Sequence, residues 1–210
     1  MANFILCLDS ETGGLDPKKA DILTLYMAMT DENLKIVDEL DFKLKPNDRL
    51  PIVEAEAMEV NKIDLEKHLA DPNTLTYSQA KISIINFAKK YLKKTGRYSN
   101  LIPLGQNVSF DLAMIWEYVI PKDEWESIFS YNVEDTKTAC LFLKRCGWLP
   151  PETGTLKSLV EFFGIAKREA HEAKGDVHMT LDVYKKMIEL MKSKKEGGQT
   201  QDLISLLESE

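Results

Sequence analysis

The sequence has few cysteines and no long apolar run, and each shortage excludes a class of protein. Only 3 cysteines occur among 210 residues, and their spacing matches neither a zinc site nor a disulfide framework. This usage is typical of a reducing compartment, so we expect a cytoplasmic protein. No segment approaches ~18 consecutive apolar residues, and the first apolar run stops at Asp9. We therefore expect neither a membrane span nor a signal peptide.

The chain also lacks an excess of positive charge. Its 27 Lys and Arg residues stand against 34 Asp and Glu residues, which gives a net charge of -7. A protein that coats nucleic acid through a broad basic surface is therefore excluded. Transient binding of a nucleic-acid end stays open, because a metal ion supplies positive charge locally.

Hydrophobic patterning predicts a mixed α/β domain. Three strands are expected over Phe4–Leu8, Ile22–Met29 and Ile36–Lys45, and short connections make successive strands antiparallel neighbours. A short apolar run and helical patterns follow, at residues 101–104 and at 78–94, 109–119, 135–146, 155–163 and 175–192. This order predicts a mixed sheet with helices on its faces.

Two carboxylates stand at the end of the first strand, in the segment ILCLDSETGG. Side chains two residues apart on a strand share a face, so Asp9 and Glu11 lie side by side and repel each other unless a cation sits between them. A solvated strand end is the ordinary interpretation of such a pair. The phosphatase pattern D-x-D-x-T fails, because the second acid is Glu and a Thr follows it directly. The paired glycines, Gly13 and Gly14, would allow the backbone to approach a ligand closely.

Three more residues complete a candidate metal site. Asp111 begins an apolar helix, where a favourable first-turn charge or an N-cap is the simpler interpretation. Asp176 shares a helical stripe with apolar residues, a costly position for a carboxylate that is neither paired nor metal-bound. His171 is compatible with a surface or capping role. Four carboxylates with a nearby His nevertheless describe a site for two hard divalent cations with a base beside it.

Three segments resemble the ordered motifs of the DEDD exonuclease superfamily: LDSETGGLDP, LGQNVSFDLAMI and HEAKGDVHMTLDVY. The third has the form of the His branch, which includes polymerase proofreading subunits, ribonuclease T and oligoribonuclease. The resemblance extends roughly from Phe4 to Met191. It implies a ribonuclease H-like mixed β-sheet flanked by helices, and metal-dependent 3′–5′ hydrolysis that releases nucleoside 5′-monophosphates.

The resemblance also implies a role for each site residue. Two divalent ions, Mg²⁺ or Mn²⁺, would be held by four carboxylates: Asp9, Glu11, Asp111 and Asp176. His171 would be the general base, and an imidazole with a pKa of about 6.5 suits that role at neutral pH. The terminal nucleotide would contact the backbone at Thr12 and Gly13 and the side chain of Leu15.

The substrate is less closely defined than the chemistry. Gly13 replaces a second Thr that the family often has, Gln106 stands where His is frequent, and Lys62 stands where Gly is common. We expect single-stranded DNA 3′ ends as the substrate, with an exoribonuclease acting on short RNA as the alternative. A catalytically silent module that binds a nucleic-acid end or a partner is a third hypothesis, disfavoured because all five reactive residues are present.

We expect an exonuclease domain over residues 1–192, then a linker and short C-terminal helical tail over residues 193–210. The linker is charged and contains glycine, and the apolar segment DLISLL follows it. QDLISLL weakly resembles a bacterial sliding-clamp-binding peptide, with Gln201, Ile204 and Leu206 as anchors, so a polymerase or clamp partner is one hypothesis. Docking of a short helix on its own domain is the preferred one.

Overall fold

A computed structural model of the protein describes residues 4–95, 98–166, 168 and 172–197. The strands in this part of the chain are β1 (Phe4–Thr12), β2 (Ile22–Thr30), β3 (Ile36–Lys45), β4 (Leu75–Thr76), β5 (Lys94–Thr95), β6 (Tyr98–Ser99), β7 (Leu101–Gly105) and β8 (Glu134–Asp135). The helices are α1 (Ala55–Asn61), α2 (Leu65–Ala70), α3 (Tyr77–Lys89), α4 (Val108–Tyr118), α5 (Lys122–Glu126), α6 (Thr136–Arg145), α7 (Leu156–Phe162) and α8 (Ala173–Gly197).

Six of these strands form one mixed sheet in the order β4-β3-β2-β1-β7-β8. The first three strands pair antiparallel as a meander, and β7 then pairs parallel with β1. The α/β prediction is confirmed: helices flank the two faces of a mixed sheet. The first strand is longer than expected, because its ladder with β2 continues through Asp9 and Glu11 to Thr12.

Alternation along β1 divides the core between the two faces of the sheet. Leu6 and Leu8 pack in a cluster with Leu112 and Ile115 of α4. Ile5 and Cys7 pack on the opposite face in a cluster with apolar residues of α8. Because the side chains of a strand alternate between faces, the carboxyl end of β1 lies between α4 and α8.

Helix α3 ends at Lys89, five residues before the end that the periodicity predicts. The side chain of Asn100, which is 4% exposed, accepts a hydrogen bond from the Lys93 N–H and donates one to the Tyr91 carbonyl. These contacts satisfy backbone groups that a longer helix would have used.

The last helix exceeds its predicted range at both ends. It runs from Ala173 to Gly197, so the first residues of the expected linker are helical. Residues 198–210 lie outside the described residues, and the tail and its clamp-binding hypothesis stay predictions. Within the part of the chain that the structure describes, no helix has both the length and the apolar character needed to span a lipid bilayer.

Candidate active site

Three carboxylates meet at the carboxyl end of β1. Asp9, Glu11 and Asp176 each offer an oxygen atom, and these oxygens all lie within 4.8 Å of one another. Asp9 and Glu11 share one face of β1, and Asp176 comes from the first turn of α8, which packs on that face. We call these three residues the acidic cluster.

Burial and mutual repulsion raise the pKa values in the acidic cluster. The pKa of Asp9 lies well above its usual range, mainly because of burial and then because of the charges of Asp111, Asp176 and Glu11. Burial, with the charges of Asp176 and Asp111, raises the pKa of Glu11 to about 7. A bound cation would favour the ionised forms, so the strand end is adapted to hold positive charge.

Asp111, on α4, is not one of the three residues of the acidic cluster. It is 3% exposed, and its Oδ1 accepts a 2.6 Å hydrogen bond from the hydroxyl of Ser10. Burial raises the pKa of Asp111 to about 7, while the Ser10 hydrogen bond acts in the opposite direction. Its charge raises the pKa of Asp9 and Glu11, so Asp111 is within electrostatic reach of the acidic cluster.

A carboxylate that sequence reasoning missed fixes the helix bearing Asp111. Asp135 accepts hydrogen bonds from the N–H groups of Asn107 (3.2 Å) and Val108 (3.0 Å) at the start of α4. It also accepts from the N–H groups of Lys137 and Thr138, as the N-cap of α6. One side chain thus ties together the N-termini of two helices. An Asp directly before a helical pattern is an N-cap signal, but only for α6.

The donor set of the acidic cluster consists of carboxylate oxygens. Hard divalent cations prefer oxygen ligands, and crowded carboxylates with raised pKa values are relieved by such a cation. The residues present therefore fit a hard divalent cation, with Asp111 available as a further oxygen donor nearby.

Of the two histidines in the third motif, the described residues include only His178. His171 lies outside the described residues, so its assignment as a base stays a prediction. His178, on α8, has its Nε2 3.4 Å from the hydroxyl of Tyr26, which donates a 2.6 Å hydrogen bond to Glu39. Burial and the charges of Arg168 and Lys174 lower the pKa of His178. His178 thus contributes to the contact between α8 and the sheet.

A cavity of about 330 Å³ opens beside Glu11. Of the residues expected to contact a nucleotide, Thr12 and Leu15 line it, and Leu15 is 82% exposed. Its other apolar lining residues were not singled out in the sequence: Ala57, Val60 and Phe110. Asn61 also lines the cavity and donates a 3.1 Å hydrogen bond to the Thr12 carbonyl.

Gly13 does not line this cavity, whereas Gly14 does. A Cβ at Gly13 would lie 2.5 Å from the carbonyl oxygen of Ile52, a distance that real Cβ atoms do not show. The Gly13 carbonyl also accepts a 2.6 Å hydrogen bond from the Glu54 N–H. The absent side chain at Gly13 therefore allows the segment of residues 49–54 to pack against the end of β1.

An ion pair between a buried carboxylate and a partly exposed arginine holds that segment in place. Asp21 has no exposed surface, and its carboxylate accepts hydrogen bonds from both terminal nitrogens of Arg49, at 2.6 and 2.8 Å. The same carboxylate accepts from the Ile52 N–H and the Tyr77 hydroxyl. Sequence reasoning did not identify Asp21, because its partners are distant along the chain.

No family model matches the chain, and no curated protein matches it in sequence. Solved structures do match. E. coli exonuclease I bound to a dT13 oligonucleotide has a TM-score of 0.66 and 22% identity, over 87% of this chain and 40% of that one. A zinc-bound E. coli exonuclease I complex with single-stranded DNA has a TM-score of 0.68 and 21% identity, over 98% and 45%. An exonuclease I complex with SSB-Ct has a TM-score of 0.67 and 20% identity, over 98% and 46%.

These matches establish the fold class. The mixed sheet with flanking helices is the fold of exonuclease I, in agreement with the ribonuclease H-like architecture expected from the motifs. The chain spans less than half the length of the exonuclease I chains that it matches.

Proposed function

We propose that the protein is a metal-dependent 3′–5′ exonuclease that hydrolyses terminal phosphodiesters of single-stranded DNA and releases nucleoside 5′-monophosphates. The observation that carries this proposal is the convergence of Asp9, Glu11 and Asp176 within 4.8 Å, at the end of the central strand of an exonuclease I-like fold. Several of the similar structures are complexes with single-stranded DNA, which supports this choice of substrate.

Two divalent cations, Mg²⁺ or Mn²⁺, are the proposed cofactors, held by the acidic cluster together with Asp111. When bound, they would activate the attacking water and neutralise charge on the scissile phosphate. The raised pKa values of Glu11 and Asp111 support this assignment, because burial, and for Glu11 the charges of Asp176 and Asp111, disfavour the ionised carboxylates, and a bound cation would favour them. The hydroxyl of Ser10 holds Asp111 in position for this role.

His171 is the proposed general base, on the strength of its place in the third motif. The cavity beside Glu11 is proposed to hold the terminal nucleotide. Phe110 and Leu15 supply apolar and aromatic surface for a base, and such surface binds bases with little sequence preference. A cavity of about 330 Å³ lies at the small end of the range for ligand sites, which suits one terminal nucleotide better than a duplex end.

An exoribonuclease acting on short RNA would use the same carboxylates, so the sugar must be tested directly. We therefore propose DNA and RNA oligonucleotides of one sequence, single-stranded and duplex, labelled at the 5′ or the 3′ end. Incubation with Mg²⁺, Mn²⁺ or a chelator would report polarity, strand preference, sugar preference and metal dependence together. The matched variants are Asp9→Asn, in the acidic cluster, and Asp41→Asn. Asp41 is an exposed carboxylate on β3, two strands from β1, and it lies opposite Tyr26 in the β2–β3 ladder.

The expected result is early release of the 3′ label from single-stranded DNA, only with a divalent cation. Asp9→Asn should abolish this release and Asp41→Asn should keep it. Activity in excess chelator, or earlier release of a 5′ label, would contradict the proposal. Hydrolysis of RNA alone would select the exoribonuclease, and strand binding without any hydrolysis would select the silent module.

A further inference from the structure

Lys174 and His178 stand two residues before and two residues after Asp176 on α8, and both contact side chains of the sheet. The ammonium of Lys174 lies 2.9 Å from Oε1 of Glu39 and 5.3 Å from the centre of the Tyr26 ring. Nε2 of His178 lies 3.4 Å from the Tyr26 hydroxyl, which donates a 2.6 Å hydrogen bond to Oε2 of Glu39. Glu39 therefore accepts from both Tyr26 and Lys174. We call Tyr26, Glu39, Lys174 and His178 the Tyr26 network.

The Tyr26 network contacts the side of α8 that is opposite Asp176. An α-helix turns by about 100° per residue, so Lys174 and His178 share one face and Asp176 lies roughly 160° around the axis from each of them. Val177 lies between these two sides and has no exposed surface, because it packs in the core against β1. Core packing thus holds the middle of the helix, the network holds one flank, and Asp176 projects from the other.

Tyr26 also relates α8 to the strand that carries Asp9. The two residues lie directly opposite each other in the β1–β2 ladder, so their side chains share the face of the sheet on which α8 packs. Tyr26 has no exposed surface, so the surrounding core holds its ring in one place. Its hydroxyl is therefore a fixed point of the sheet, close to the acidic cluster, against which α8 is set.

Repulsion within the acidic cluster acts to turn Asp176 away. The charge of Asp176 raises the pKa of both Asp9 and Glu11, so the ionised carboxylates repel one another when no cation is bound. The end of a helical side chain lies roughly 5 Å from the helix axis, so a rotation of roughly 15° would move it by roughly 1.3 Å. Distances between a metal and its ligands vary by only about 0.2 Å, so such a rotation would remove Asp176 as a ligand.

We propose that Tyr26 and Glu39 are positioning residues for Asp176: they fix the rotation of α8 about its axis and thereby direct this carboxylate toward the metal site. The inference rests on the metal site of the proposed function. Lys174 and Glu39 are each about half exposed, and an ion pair of this kind adds little to overall stability. Its contribution is to geometry, because it opposes the rotation that repulsion within the acidic cluster favours.

The test compares two tyrosine hydroxyls near α8. Tyr26→Phe removes the hydroxyl of the Tyr26 network and keeps the buried ring. Tyr184→Phe is the matched control, because Tyr184 lies about two turns beyond Asp176 on α8 and its hydroxyl donates to Glu134 of β8. Glu39→Ala and Glu39→Gln form a second pair, in which only Gln keeps an acceptor oxygen. The measurements are Mn²⁺ affinity by calorimetric titration, kcat and KM for (dT)20 at limiting Mn²⁺, and the melting temperature in chelator.

Tyr26→Phe and Glu39→Ala should each weaken Mn²⁺ binding roughly 10-fold, the low end of the range for residues that support a ligand. The value of kcat should fall in parallel and KM should not change, because the nucleotide cavity is untouched. Glu39→Gln should recover part of the lost affinity. Tyr184→Phe should lower the melting temperature but bind Mn²⁺ like wild type. Equal loss of Mn²⁺ affinity in both tyrosine variants, or unchanged affinity in Tyr26→Phe, would overturn the proposal.

A double-mutant cycle shows whether the effect passes through Asp176. In an Asp176→Asn background, Tyr26→Phe should no longer change the residual Mn²⁺ affinity, and a further 10-fold loss there would overturn the proposal. The titrations do not depend on hydrolysis. A wild-type protein that binds Mn²⁺ but cuts no DNA would reject the proposed function, while the same titrations would still decide the role of Tyr26. An active wild type whose Tyr26→Phe variant keeps full Mn²⁺ affinity would reject the positioning role alone.

Discussion

The Ser10 hydroxyl donates a 2.6 Å hydrogen bond to Oδ1 of Asp111. Ser10 lies between Asp9 and Glu11 in the sequence but faces the opposite side of β1. One strand therefore presents two carboxylates to α8 and a hydroxyl to α4. Through this hydroxyl, β1 positions the carboxylate of Asp111, which belongs to a helix on the opposite face of the sheet from α8.

Replacement of Ser10 by Ala should weaken metal binding at neutral pH. The Ser10 hydrogen bond lowers the pKa of Asp111, so its loss should raise that pKa above about 7 and leave less of the ionised form. A rise of about one pKa unit would lower the ionised fraction of Asp111 at pH 7 from about a half to about a tenth. We expect the rate at limiting Mg²⁺ to fall about 5-fold at pH 7 and to recover at pH 9. Ser10→Thr, which keeps a hydroxyl, is the control, and an unchanged Mg²⁺ dependence in Ser10→Ala would contradict the role of this hydrogen bond.

Asp176→Asn should separate metal binding from folding. The change removes a charge that raises the pKa of Asp9 and Glu11, so the metal-free variant should melt at a higher temperature than wild type. Its turnover should fall more than about 100-fold, beyond the effect of losing a residue that only supports a ligand. Calorimetric titration with Mn²⁺ and melting in chelator are the measurements. Glu189→Gln removes an exposed charge from the same helix and should change neither. Undiminished Mn²⁺ affinity in Asp176→Asn would exclude it as a ligand.

Metal-free protein should lose stability as pH rises from about 5 to about 7. Glu11 and Asp111 have pKa values of about 7 when folded, against ordinary values near 4 when unfolded, so the folded chain binds more protons within this window. Stability therefore falls as these protons are lost. The lowered pKa values of Asp38 and Glu39 act at lower pH, below their unfolded values. The lowered pKa of His178 acts within this window and in the opposite direction, but it is one group against two.

The measurement is the melting temperature in excess chelator at pH 5 and pH 7.5. We expect a value at least about 3 °C lower at pH 7.5, the change that about 1 kcal/mol produces in a domain of this size. Saturating Mg²⁺ should reduce the difference, and so should Glu11→Gln, which removes one of the titrating groups. A melting temperature that rises between pH 5 and pH 7.5 without metal would show that folding does not raise the pKa values of these carboxylates.

Local patterns in the sequence were sufficient to predict the main strands and helices of the fold. Strand alternation predicted that Asp9 and Glu11 share a face, and the helical stripe predicted that Asp176 faces inward. Helices α1 and α2 were missed, because 7 and 6 residues span fewer than two turns and show no clear period.

Lys62 follows α1 with a φ of +57°, a left-handed conformation in which glycine is favoured. This conformation explains why glycine is common at the matching position in the family that the sequence resembles.

Contacts between distant residues could not be predicted from periodicity. Asp21 binds Arg49 and Tyr77, which are 28 and 56 residues away, and the partner of Ser10 is 101 residues away. Each contact depends on how the sheet and helices assemble, and a single sequence carries no signal for the pairing. The packing role of Gly13 depends likewise on the segment of residues 49–54.

Arg49→Ala should weaken both the fold and nucleotide binding. The change leaves the fully buried carboxylate of Asp21 with only the backbone N–H of Ile52 and the hydroxyl of Tyr77 as hydrogen-bond donors. We expect a loss of about 2–3 kcal/mol in the free energy of unfolding, less than for a fully buried pair because Arg49 is itself partly exposed. The segment of residues 49–54 reaches the cavity through Glu54, so KM for single-stranded DNA should rise more than kcat falls.

Two controls make this last prediction specific. Arg49→Lys keeps the charge but loses the two-pronged contact, so it should recover part of the lost stability. Asp21→Asn in the Arg49→Ala background removes the unpaired buried charge, and the double variant should be more stable than the sum of the two single losses predicts. Denaturant unfolding and steady-state kinetics on the wild-type protein, the three single variants and the double variant are the measurements. Strictly additive losses would show that Asp21 and Arg49 do not act as a pair, and a fall in kcat with unchanged KM would show that the segment supports the acidic cluster rather than the nucleotide cavity.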